Sequence, residues 1–294
     1  MRKSALPPPE LIRVSTTRND GASVFGAIPK ILWENFSSPD RQNRVSYGNY
    51  SMLIDHPDGW ILVNTGPGDK PPQDTDIAPV RSRSSLLRDL RDRCITPKDI
   101  ALVILTHLHE EYAGGATHMT SSGKVVPTFS NARYVVQRTA YEAALKPNER
   151  CRRLYRSDDY LPLEEMEQLV LVDGEEEVAP RVWVESAPGP TPGHQVLRTE
   201  AAGKTYAFLG QLVPTSLHLC TPVLSASDWD PDLTMESKRD VLFQATVDDW
   251  QVAPVGMDGW TAARNVVEVT ERDAIIPAPA MGLPALEPIP VLTD

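Results

Sequence analysis

The sequence predicts an α+β fold in which two mixed β-sheets pack face to face with helices on the outside, an αββα sandwich. Apolar, β-prone runs occur in both halves of the chain, amphipathic helical stretches lie between them, and at least two of the strands run directly into polar loops. With 294 residues and 41% hydrophobic content the chain can bury a sizeable core. It reads as a single domain over 1–294, with irregular tails at about 1–10 and at the proline-rich 277–294.

In chain order, "YSMLID" and "WILVNTG" are two apolar strands joined by the turn-forming "HPDG", which predicts a hairpin with His56 as a solvated turn residue. "SRSSLLRDLRDRC" spaces Leu86, Leu87 and Leu90 as one helix face, with serines available to cap it. "DIALVILTHLH" is almost continuously apolar until its polar end, as befits a strand covered on both faces. "ARYVVQ" is a further strand and "TAYEAAL" a helix that "KPNER" stops. The polar stretch 151–167 looks like an insertion or lid. Strands follow at "RVWVESA", "QVLRTEA" and "KTYAFLG". A helix over "DLTMESKRDVLFQATVDDW" then begins at Asp232 or one of its neighbours.

Composition excludes some function classes. A formal net charge of −11, without a long Lys/Arg run, offers nothing to a phosphate backbone or an anionic membrane. Cys94, Cys151 and Cys220 are odd in number and show no C-x-x-C spacing, so they read as reduced thiols. No apolar run is long enough for a membrane span and no signal peptide is evident, so a soluble, cytoplasmic protein acting on a small molecule is expected. Oligomeric state is left open.

The chemistry gathers at strand ends. His107 and His109 flank one residue, so both side chains can turn to one point, as a metal requires. Of six histidines, His118, His194 and His218 remain as third ligands. His194 is preferred because "APGPTPGHQ" is a stiff turn directly after a strand, the setting His107 also has. His118 reads as a solvent-facing residue of a helix after the motif. Gly114 and Gly115 read as allowing close backbone packing.

The stretch "THLHEEYAGG" resembles the T-H-x-H-x-D-H-x-G-G signature of metallo-β-lactamase-fold hydrolases, in particular their quorum-quenching lactonase-like branch. "WILVNTGPGDK", "KVVPTFSNARYVVQRTAYEAAL", "TPGHQ" and "FLGQLVPTSLH" are similar to segments of that branch in its order. The resemblance implies one metal held by His107, His109 and His194. It also implies that the second-metal ligands are replaced, by Glu111, Tyr112, Gln211 and Met257, the last beside Asp258 in "VGMDG". Asn64 stands where the branch's "VDTG" turn has aspartate, which is expected to weaken the hydrogen bonds that orient the ligands. His218 is expected to support the ligands or touch substrate.

A neutral amide, a phenol and a thioether do not hold a second dication beside the first. The expectation is therefore one divalent metal, zinc by preference and iron or manganese as alternatives, serving hydrolysis of a small lactone, ester or thioester. Glu111 would act as base and Tyr112 as donor to the developing oxyanion. The rival reading is a pseudo-enzyme that keeps the fold to bind an intermediate or a partner.

Overall fold

The computed structural model describes residues 6–71, 80–253 and 259–263. In the first half lie β1 (Glu10–Asp20), α1 (Gly21–Phe25), α2 (Lys30–Trp33), β2 (Arg44–Ile54), β3 (Trp60–Val63), β4 (Val80–Arg81), α3 (Leu86–Asp92), β5 (Ile100–Ile104) and α4 (Glu110–Ala113). These are followed by β6 (Thr117–Met119), β7 (Val125–Pro127), β8 (Arg133–Gln137), α5 (Arg138–Leu145), α6 (Leu161–Glu165) and β9 (Leu169–Val172). The second half holds β10 (Glu176–Ala179), β11 (Val182–Ser186), β12 (Gln195–Ala201), β13 (Lys204–Phe208), α7 (Pro231–Val247), β14 (Gln251–Ala253) and β15 (Thr261–Ala262).

The first sheet has the order β4-β1-β2-β3-β5-β8-β9, and the second has β10-β11-β12-β13-β14-β15. Both are mixed. The β3, β5, β8 and β9 neighbours run parallel and the β1–β2 and β2–β3 pairs antiparallel, while β13–β14 is the parallel pair of the second sheet. Strand period explains the layers. Met52, Ile54, Ile61, Val63 and Ile104 meet Val184, Leu197 and Phe208 of the other sheet in one buried cluster. The alternate positions Leu53, Leu62, Val103 and Val136 face Leu86 and Leu90 of α3 and Ala140 and Tyr141 of α5. On the far side Val196, Ala207 and Val252 pack beneath Val241, Leu242 and Ala245 of α7. The αββα sandwich is thus the arrangement that covers all four sheet faces.

Local chemistry sets the element ends. Asp230 caps α7, its carboxylate accepting from the Leu233 N–H at 3.0 Å, with Pro231 in the first turn. On α3, Leu86 and Leu90 are buried but Leu87 is 45% exposed, so the apolar stripe is narrower than the leucine spacing suggests.

Two expectations need correction. His56 is not solvated: it is buried, with Nε2 3.2 Å from the Pro180 carbonyl and Nδ1 accepting from the Asp58 N–H. His118 is exposed as expected but lies on β6, not on a helix, because the turn after the motif ends at Ala116 and the chain extends to pair with β7. Residues 151–167, expected as an insertion or lid, are packed against the body of the protein. Tyr155, Tyr160 and Leu163 sit in the main core, and Asp159 forms a buried ion pair with Lys70 at 2.9 Å.

Lys70 also donates to the Thr117 carbonyl and hydroxyl at 2.8 Å each and to the Gly114 carbonyl, so one ammonium ties residues 70, 114–117 and 159 together. Burial pulls the Lys70 pKa down and pushes Asp159 up to about 6, each toward neutrality and against the attraction of the pair. Such a pair adds little net stability, yet losing one member strands the other. Lys70→Ala should therefore cost about 3–5 kcal/mol in urea unfolding, and Lys70→Met combined with Asp159→Leu clearly less. Equal losses would refute this account of the pair.

His218 is buried with both nitrogens engaged, Nδ1 with the Thr215 hydroxyl at 2.8 Å and Nε2 with the Val24 carbonyl at 3.0 Å, and its ring stacks on Phe25. Burial first, then the Lys238 charge, lowers its pKa to about 3. Because the folded value lies below the unfolded one, the stability it contributes is whole above about pH 6.5 and drains away as pH falls toward about 3. His218→Gln should flatten the stability-versus-pH slope between about pH 6 and 4 by about 1.4 kcal/mol per pH unit. An unchanged slope in denaturant titrations would show that His218 is not held neutral.

Candidate active site

The parallel strand β5 delivers residues 105–109 to one edge of the sandwich, and the turn before β12 delivers His194 to the same edge. Gln195 fastens the two. Its main-chain N–H donates to the Thr106 carbonyl at 2.9 Å and its side-chain amide to the Leu105 carbonyl at 2.8 Å, while its Oε1 accepts from Gln137 at 2.9 Å. As a result the His107 ring centroid lies 4.6 Å from that of His109 and 5.4 Å from that of His194.

The protonation of His107 follows from its neighbours. The Asn64 Oδ1 accepts from the Thr106 N–H at 2.9 Å, which fixes the amide's orientation, and from the Thr106 hydroxyl at 3.1 Å. Since the Thr106 hydroxyl has spent its proton, the His107 Nδ1 3.1 Å away must donate to it. The Nε2 of His107 is therefore a bare lone pair, fully buried and without a partner in the protein. His194 is arranged alike: Nδ1 donates to the Ala187 carbonyl at 3.2 Å and Nε2 is the acceptor. Burial, the largest influence on all three rings, lowers His107 well below the usual value and His109 and His194 to about 3, so all are neutral.

The Asn64 Oδ1 makes both orienting contacts to Thr106, as a neutral acceptor weaker than a carboxylate, and its Nδ2 is buried without a partner. Asn64 takes φ 57°, a left-handed conformation that asparagine tolerates.

The other expected residues divide into two groups. Tyr112 lies against His107, ring centroids 4.5 Å apart, and its hydroxyl donates to the Gln211 Oε1 in a short hydrogen bond. Burial and then the Glu111 charge hold this phenol well above its usual pKa, so it stays a neutral donor. The Gln211 main-chain N–H donates to the His194 Nε2 at 3.1 Å. Glu111 instead faces the partly buried Tyr47, and desolvation, then the Glu111 charge, hold that phenol well above its usual pKa. The Glu111 Oε1 is itself buried and unpartnered, with Arg81 nearby. His218 is spent in the packing described above. Met257 and Asp258 lie outside the described residues.

Sequence reading missed Tyr47, Gln137, Gln195 and Tyr155. The Tyr155 ring meets His109 edge-on at 4.8 Å, and the two residues form an isolated β-bridge. Only the adjacency of Gln195 to His194 could have pointed to any of them. Gly114 and Gly115 serve close packing as expected: a Cβ would meet the Pro67 carbonyl oxygen at 2.3 Å or the Thr65 carbonyl oxygen at 2.4 Å.

Among the described residues, no three His, Cys, Asp or Glu side chains are disposed to hold a metal ion together. The Gln211 N–H, which caps His194, is one visible obstacle. The donor chemistry nevertheless suits one ion, since His107 and His194 carry unprotonated Nε2 atoms and the former has no other partner. A neutral hydrogen bond is worth about 0.5–1.5 kcal/mol net, against about 10–16 kcal/mol for zinc in a structural protein site. Magnitude thus favours the ion over the Gln211 cap. The Tyr112–Gln211 hydrogen bond joins two neutral groups at positions where the resemblance leads one to expect ligands of a second ion.

Beside His109 lies a cavity of about 120 Å³, lined in part by Cys151, Tyr155, Thr191 and Trp229. No helix among the described residues is long and apolar enough to cross a membrane.

Residues 46–256 match the metallo-beta-lactamase superfamily. Curated relatives include an N-acyl homoserine lactonase of Bacillus thuringiensis, 30% identical over 167 residues that make up 52% of this chain and 60% of the relative. Another, from Bacillus sp., is 35% identical over 109 residues, 36% of each chain. The chain thus spans less than two thirds of the length of the relatives it matches. A probable metal-dependent hydrolase from Staphylococcus aureus superimposes with a TM-score of 0.78 at 21% identity, covering 89% of this chain and 98% of that one. An N-acyl homoserine lactone hydrolase with N-hexanoyl-L-homoserine bound at its catalytic metal center gives 0.67 at 22% identity, covering 85% and 93%. At such identities the structures attest the fold. With the αββα sandwich and the match over residues 46–256, the chain belongs to the metallo-β-lactamase superfamily.

Proposed function

We propose that the protein is a metal-dependent hydrolase of a small lactone, ester or thioester that works with a single divalent ion, zinc by preference, held by His107, His109 and His194. The observation that carries this reading is the buried His107 Nε2, a lone pair with no partner in the protein, beside two further neutral imidazoles. Leaving such an atom unsatisfied costs about 1–3 kcal/mol, a penalty that a coordinated ion removes. The N-acyl homoserine lactonases among the relatives make the ester and lactone class the first to test.

A bound divalent ion would supply Lewis-acid polarisation of an acyl oxygen and a lowered pKa for bound water. The protein's own residues would do the rest. Thr106 and Asn64 hold His107 in the tautomer that exposes Nε2. Tyr112, packed on His107, exchanges the Gln211 oxygen for the oxygen on which charge develops, so its phenol donates where stabilisation counts. Glu111 exchanges Tyr47 for a water and receives its proton.

A specific observation favours the second reading, a metal-free binding protein. The Gln211 N–H caps His194 and the Gln211 side chain engages Tyr112, so two site residues are satisfied without any ion.

A panel of lactones, aryl esters and thioesters, assayed with and without a chelator, separates the two. Turnover should vanish on chelation and in His107→Ala. Glu111→Gln should lower kcat by about 10²–10⁴ with metal content unchanged, and Tyr112→Phe should lower kcat with little change in KM. Turnover that survives chelation removes the metal from the account, and metal-loaded protein inert to the whole panel transfers the case to the binding reading.

A further inference from the structure

The net charge of −11 hides one local reversal. Between Ala143 and Tyr155 the chain carries Lys146, Arg150, Arg152 and Arg153 against the single carboxylate of Glu149, and all four cations are exposed. Among the described residues, Lys146, Arg152 and Arg153 form no ion pair. Arg150 donates to the Asp228 carbonyl at 2.9 Å and to the Ala226 carbonyl, and the buried Asp228 carboxylate offsets part of its charge. Like charges this close repel one another, a cost that a bound anion removes. The backbone beneath them is fixed. The Asn148 Oδ1 accepts from the Arg150 and Cys151 N–H groups at 3.1 Å each, and the Asn148 carbonyl accepts from the Arg152 N–H at 2.9 Å. Tyr155, two residues after Arg153, sits in the main core.

Position gives this charge a use. Lys146 and Arg150 also line the cavity beside His109, as does the exposed Trp229, the neighbour of the residue whose carbonyl Arg150 holds. At about 120 Å³ that cavity is well below the ~300 Å³ at which pockets for drug-sized ligands begin. It takes only the small end of a substrate, so recognition of anything larger falls on the positive surface outside it. We infer that residues 146–153 bind the phosphate-bearing handle of an acyl thioester, a nucleoside-phosphate carrier of the coenzyme A kind, whose short acyl end reaches the site. Guanidinium forks match phosphate oxygens, and an exposed indole offers a face on which a nucleobase stacks. Of lactone, ester and thioester, the thioester is the one whose carrier is phosphorylated. The inference deepens the hydrolase reading and rests on it for the reaction alone: water adds to the acyl carbon, the C–S bond breaks, and the thiol leaves with a proton. Binding of the handle needs no metal.

Calorimetric titration of the full chain, with chelator present and at low ionic strength, tests the inference. Acetyl-CoA should bind, and S-acetylpantetheine, which keeps the thioester and lacks every phosphate, should bind about tenfold or more weakly. Arg152→Gln combined with Arg153→Gln should weaken acetyl-CoA about tenfold and leave S-acetylpantetheine unchanged. Arg88→Gln combined with Arg91→Gln removes the same charge from the exposed side of α3 and should alter neither. All four positions are exposed, so the folded protein is retained in both variants. Equal affinity for the two thioesters, no binding of acetyl-CoA at millimolar concentration, or equal weakening by the α3 pair would overturn the assignment. The chelator keeps these failures distinct from failure to hold an ion at the histidines. Metal-loaded protein that hydrolyses uncharged esters yet does not bind acetyl-CoA would overturn this inference and leave the hydrolase reading standing.

Discussion

The site depends on the fastening of two strand ends by Gln195. In a sandwich the two sheets touch through side chains, and nothing in apolar packing alone fixes the separation of two loops at their edges to within an ångström. Gln195 supplies directional contacts, a main-chain bond to Thr106 and side-chain bonds to Leu105 and Gln137. Those residues sit in or beside β5, β8 and β12, so His107 and His194 are brought together by directional bonds. A buried amide that loses a bond is costly, which gives this position little tolerance.

From that clasp the electrostatics follow. Asn64 orders the Thr106 hydroxyl, which orders His107, and an unprotonated nitrogen results at the one place where no protein group meets it. Next to it, Tyr112 and Gln211 close on one another. Two neutral groups joined by a hydrogen bond offer no negative charge to offset the repulsion between two dications a few ångströms apart. The same bond keeps the Tyr112 hydroxyl beside His107.

Much of this was legible in the sequence. Strand runs, the helix over 231–247 and the layer order follow from period-two and helical patterning, and the H-x-H pair marks the edge where chemistry gathers. What escaped were contacts between residues far apart in the chain. Lys70 meets Asp159, Glu111 meets Tyr47, and Tyr155 covers His109, and no local pattern announces any of these. For the same reason 151–167 reads only as an insertion or lid, because its charges are visible in sequence and their partners are not. His56 was misread because its partner, the Pro180 carbonyl, lies on a distant turn. Asn64 shows the converse: the change of charge is legible in the sequence, whereas the bonds its Oδ1 makes to Thr106 and the unpartnered Nδ2 are not.

The most direct measurement is the metal content of protein purified without added metal, determined by elemental analysis after gel filtration. The account predicts close to one transition-metal ion per chain, lost in His107→Ala and retained in Tyr112→Phe. Two tightly held ions per chain would contradict the reading of Tyr112 and Gln211, and no stoichiometric ion even after loading with zinc, iron or manganese would contradict the reading of His107.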